Sequence, residues 1–149
     1  ALERLNGTGA SGAKSAVVLL AASIGASGVA FIGASASLAQ LFGALAAATG
    51  GFLLWNRPVP RHPLGGAGLL GGGGAFVALA AATVLFADAS RLALVGVVLV
   101  FLVPTLIQRS PLGGLGERPA AGPVVIGLAS AVLVALALGS AFLESGQGF

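Results

Sequence analysis

The chain has 149 residues, of which 57% are hydrophobic and 7% charged, with a mean hydropathy of +1.07 and a net charge of +3. A soluble domain carries about 25% charged residues, so this sequence lacks the ions to cover a water-facing surface, and its apolar content excludes intrinsic disorder. It contains no cysteine, which removes disulfides, thiolate metal sites and cysteine nucleophiles.

The basic residues are scattered between apolar runs, which makes them topology signals rather than a nucleic-acid footprint. The sequence opens on Ala1 and has no methionine or tyrosine. Two readings follow, a processed N-terminus or a piece of a longer chain.

From Ser15 to Trp55 there is no charged residue. As a single helix that run would extend about 60 Å at about 1.5 Å per residue, twice the hydrocarbon thickness of about 30 Å. It must fold back, and the small residues Gly33-Ala34-Ser35-Ala36-Ser37 offer the turn. The first two predicted spans are therefore 15–32 and 38–55, with Trp55 at headgroup level. Pro58, Pro60 and Pro63 make a loop, since proline cannot continue a helix. A third span is predicted at 68–87 and a fourth at 92–108, with Pro104 near its end. A second Pro/Gly-rich loop separates these from a fifth span at 124–142.

Charge placement supports this count. With five spans, Arg4, Lys14, Arg57, Arg61, Arg109 and Arg118 fall on one side and only Arg91 on the other. By the positive-inside rule the N-terminus is cytoplasmic and the C-terminus outside. A cleavable signal peptide ending near Ser37-Leu38-Ala39 is the competing account. The apolar run is long for such a segment and continues past that point.

Motifs that resemble chemistry lack its context. Gly7-Thr8-Gly9-Ala10-Ser11-Gly12 spells G-x-G-x-x-G, but only six residues precede it, and the dinucleotide fingerprint needs a preceding strand. It is read as a flexible lead-in to the first span. His62 is the single histidine and cannot build a zinc site, which takes three or four ligands. Glu3, Asp88, Glu117 and Glu144 all fall in tails, loops or span ends, away from the bilayer centre where proton-coupling carboxylates sit. Asp88 is read as a cap for the fourth span. No Ser-His-Asp set or carboxylate pair is available, so no enzymatic role is expected.

Small residues form the stronger pattern. Ala39, Gly43, Ala47 and Gly51 recur every four residues, as do Gly127, Ala131, Ala135 and Gly139, and the first span offers Ala22, Ala26 and Ala30 on one face with Gly25 and Gly33 nearby. Such spacing suits close helix packing in lipid. Spans one, two and five are therefore expected to form the packed core, with span four facing lipid. Gly71-Gly72-Gly73-Gly74 is either a tight packing surface or an unwound segment whose carbonyls line a site. Ser23, Ser27, Gln40 and Thr49 are the candidate lining of a substrate path; Thr83, Thr105 and Ser130 are further neutral polar residues within the spans.

The expected fold is all-α, a single five-helix transmembrane bundle in a plasma (inner) membrane. Its expected partners are the lipid bilayer and other membrane chains or itself, with no nucleic acid, nucleotide, metal or cofactor. The leading functional expectation is a non-catalytic subunit of a transport or energy-converting complex. The alternative is a homo-oligomeric transporter or channel, or half of a longer permease, for a small neutral solute or ion, with its site at a helix break over Gly71–Gly74.

Overall fold

The computed structural model describes residues 2–56, 65–87, 90–109 and 121–146, nearly all of them helical. In chain order the helices are α1 (Leu2–Ile32), α2 (Ala36–Trp55), α3 (Gly66–Phe86), α4 (Arg91–Leu99), a 3-10 turn at Val100–Leu102, α5 (Val103–Arg109) and α6 (Ala121–Gly146). Five stretches are long and apolar enough to cross a membrane: Ala13–Ile32, Ala36–Trp55, Gly66–Phe86, Arg91–Arg109 and Gly122–Glu144. The fold is an all-α bundle of five candidate membrane helices, the fourth assembled from α4, the 3-10 turn and α5. Arg57, Arg61, His62, Asp88, Glu117 and Arg118 lie outside the described residues.

The segment Gly7–Gly12, expected as a flexible lead-in, belongs to α1. Once the apolar part of a helix has nucleated, each added residue gains a hydrogen bond without a new nucleus, which carries α1 through its glycines. At its other end α1 closes in a Schellman motif. Ser35 N–H bonds to Ala30 O at 3.0 Å and Ala34 N–H to Phe31 O at 3.2 Å. Ala34 holds φ at +58°, the left-handed position where glycine is usual because a Cβ crowds the carbonyl. α2 starts at Ala36, and Ser27 Oγ donates to Ala39 O across the hairpin at 2.7 Å. The cap of α4 is Ser90, whose Oγ accepts from Ala93 N–H at 3.1 Å, the role read for Asp88.

α1 is the axis. Half of its membrane segment is buried, and it packs on α2, α3, α4 and α6. α6 packs along α1 and α4. Contacts between α1 and α6 advance together, Val17 with Gly127, Gly25 with Val134 and Gly28 with Leu138, so these two helices run parallel. α3 is the outer member, with only 11% of its segment buried. The expectation about span four is corrected here: 33% of it is buried, with Ala93, Leu94, Val97, Val100, Val103 and Ile107 inside. Val97 enters the notch at Gly25 of α1, and Gly96 offers a notch of its own to Ala137. Composition alone does not tell such filling residues from lipid-facing ones.

Candidate functional site

Close approaches cluster where α1, α4 and α6 meet. A Cβ on Gly25 would stand 2.9 Å from a methyl of Val134 and 3.2 Å from one of Val97. One on Gly28 would stand 2.6 Å from a Leu138 methyl, and one on Gly96 3.1 Å from the Ala137 Cβ. In hydrocarbon no hydrophobic drive joins helices, so their cohesion comes from such contacts. Gly28 and Gly96 escape a search for four-residue repeats. The usable signal is an isolated glycine among bulky neighbours, as in Val95-Gly96-Val97.

The four-residue stripes do not stay on one face. Ala39 is buried and Gly43 lies 3.8 Å from Ser27 Oγ, while Ala47 and Gly51 are exposed. On α6, Gly127 is half-buried against Val17, whereas Ala131, Ala135 and Gly139 are exposed. Four residues turn a helix about 40° beyond a full circle, so such a series rotates away from its first contact. The buried line on α6 is Gly122, Ile126, Ser130, Val134, Ala137 and Ala141, whose single three-residue step corrects the drift. Gly33 is buried at the α1–α2 turn.

The neutral polar residues do not converge on one path. Ser23 is buried on α1, Thr49 bonds back to Leu45 O at 2.8 Å, and Gln40 is exposed on α2. Ser27 reaches α2 through Ala39 O, not through Gln40 or Thr49. Thr83 bonds back to Leu79 O at 2.8 Å. Among the described residues two buried hydroxyls remain without a partner, Ser23 Oγ and Ser130 Oγ, both on fully buried residues. A buried unpaired hydroxyl costs about 1–3 kcal/mol.

Gly71–Gly74 is continuous helix, so the break on which the alternative transporter reading placed its site is not formed. Glycine weakens a helix by about 1 kcal/mol in water, but unwinding in hydrocarbon would strip several backbone groups of their partners. Gly72 is the packing member of the four: its Cβ would stand 2.6 Å from a Leu19 methyl, while Gly71, Gly73 and Gly74 meet nothing within 4 Å. Beside it Phe76 is buried edge-to-face between Phe42 and Phe101, with ring centroids 5.5 and 5.2 Å away.

The break lies in span four instead. Pro104 has no N–H to give to Val100 O, and the 3-10 turn supplies one from Val103, while Val100 N–H bonds to Val97 O. Tightening the turn advances the bonding by one residue, which absorbs the missing donor. An apolar groove of about 660 Å³ opens between the ends of α1 and α6, lined by Gly28, Phe31, Ile32, Leu138, Gly139, Phe142 and Leu143. Among the described residues no three His, Cys, Asp or Glu side chains gather.

These features define a class: a multi-pass integral membrane protein, its apolar helices in contact with lipid and its interior held by glycine notches and neutral hydroxyls. No family model, curated protein or solved structure matches the chain.

Proposed function

We propose that the chain is a non-catalytic integral membrane subunit that assembles with other membrane-spanning chains in a transport or energy-converting complex. The observation that carries this reading is the outward face of α3, where Gly71, Gly74, Ala75 and Ala78 are exposed. Bare glycines gain little from lipid contact, whereas a second helix can approach the backbone closely there. The exposed Ala131, Ala135 and Gly139 on α6 offer a second small-residue face.

Native mass spectrometry in a mild detergent tests the proposal. Other polypeptides in fixed ratio are expected, and Gly71→Leu with Gly74→Leu should release them while the bundle stays folded. A lone chain or homo-oligomer from the wild type would sink the subunit reading. That result would favour the alternative, a homo-oligomeric transporter, channel or half-permease for a small neutral solute or ion, for which the buried hydroxyls Ser23 and Ser130 speak. Solute flux in liposomes is its direct measure.

The proposed orientation is N-terminus cytoplasmic and C-terminus outside, in the plasma membrane. It rests on the distribution of Lys and Arg. In a chain without cysteine, His62→Cys should be protected from an impermeant thiol reagent added outside, and Gly146→Cys should react. The opposite pattern would reverse the topology.

A further inference from the structure

The fourth span is divided into unequal halves. Above the 3-10 turn, α4 is locked: Ala93 and Val97 are fully buried, Val97 fills the notch at Gly25, and Gly96 lies against Ala137. Below it, α5 holds to the bundle through Val103 and Ile107, while Thr105, Leu106, Gln108 and Arg109 are exposed. α5 packs chiefly on α6 and does not share the close α1 contacts of α4. Between the halves Pro104 removes the α-helical bond to Val100 O, and Val103 N–H takes its place within the 3-10 turn. Mid-helix 3-10 turns often mark hinges.

Behind the looser half lies an unpaired polar atom. Ser130 is seven residues from Ala137 on the same buried line of α6, which puts it about 10 Å along the helix axis at about 1.5 Å per residue. Since span four and α6 cross in opposite directions and Ala137 meets Gly96, Ser130 stands level with the 3-10 turn and the start of α5. Its Oγ is fully enclosed and bonded to nothing. A second hydroxyl of the same kind, Ser23 Oγ, is enclosed on α1, which makes no extensive contact with α5.

We propose that α5 swings on the Val100–Leu102 turn and that this motion admits water from the Arg109 side to the Ser130 hydroxyl. The closed position leaves the hydroxyl unsatisfied. The open one hydrates it, so the two positions are brought close in free energy by the group that α5 covers. The proposal concerns motion within one chain and stands independently of the subunit reading.

The absence of native cysteine permits a direct test on the full chain in phosphatidylcholine–phosphatidylglycerol vesicles. Ser130→Cys and Ser23→Cys are each exposed to a small, charged methanethiosulfonate from the Arg109 side. The Ser130→Cys thiol is expected to react at least tenfold faster than Ser23→Cys, and adding Pro104→Ala should slow it severalfold by restoring the continuous helix. Equal rates at the two serines, or a Ser130→Cys rate indifferent to Pro104→Ala, would overturn the hinge. Spin labels at Leu92→Cys and Gln108→Cys provide a readout in the native-proline chain. A broad or two-peaked distance distribution is expected, and a single narrow one would also overturn the proposal.

Discussion

The two sides of α1 are built differently. Toward α4 and α6, backbones come close enough that a methyl group at Gly25, Gly28 or Gly96 would meet its neighbour within 2.6–3.2 Å. Toward α2, α1 packs along its length at ordinary contact distance: a Cβ on Gly43 would stand 3.8 Å from Ser27 Oγ, and one on Gly50 3.7 Å from a Leu20 methyl. The Ser27 hydrogen bond crosses that hairpin, and toward α3, α1 fills the single notch at Gly72. The contrast separates two uses of glycine in a membrane helix. On the α4–α6 side glycine is a socket already filled by Val134, Val97 or Leu138. On α3 most of the glycines are bare.

The sharpest test of that contrast is Gly28→Leu. Its side chain would occupy the space of Leu138, and overpacking of this kind costs about 1–3 kcal/mol or more. Thermal unfolding in detergent should show a large fall in midpoint. A midpoint within error of wild type would break the comparison. Gly74→Ala should act in the opposite direction, raising the stability of the isolated chain by up to about 1 kcal/mol through helix propensity. A loss of stability there would mean that this glycine is a filled socket as well.

Ala34→Gly follows. It relieves a Cβ in the left-handed region, and a gain of about 1 kcal/mol in chemical denaturation is expected. An unchanged or lowered stability would remove the strain assigned to the α1–α2 turn. The smallest effect belongs to Ser27→Ala, which deletes one interhelical bond of a type worth about 0.6 kcal/mol on average in membranes. A loss several times larger would show that the α2 side hangs on this bond more than its packing indicates.

Much of the architecture is legible without coordinates. The uncharged run from Ser15 to Trp55 is too long for one crossing, and Gly33–Ser35 is where the chain turns. Hydrophobic length, proline loops and charge bias are all properties of sequence order, because a bilayer has one thickness and admits only fully hydrogen-bonded backbone. The site was less legible. Ser23, Ser27, Gln40 and Thr49 look alike as neutral polar residues within spans. One is unpaired, one bridges to α2, one is exposed and one bonds within its own helix.

The sequence by itself determined that the chain is helical, that it is a multi-pass membrane protein and where its first two helices turn. Only the tertiary structure decided that span four joins spans one, two and five in the buried core. It also located the helix break at Pro104 rather than in the tetraglycine, and left Ser130 as an enclosed hydroxyl beside it. The physical reason is that crossing the bilayer depends on a helix's average polarity, which sequence states directly. Packing in lipid depends on which side chain enters which notch, and that is a property of pairs of helices.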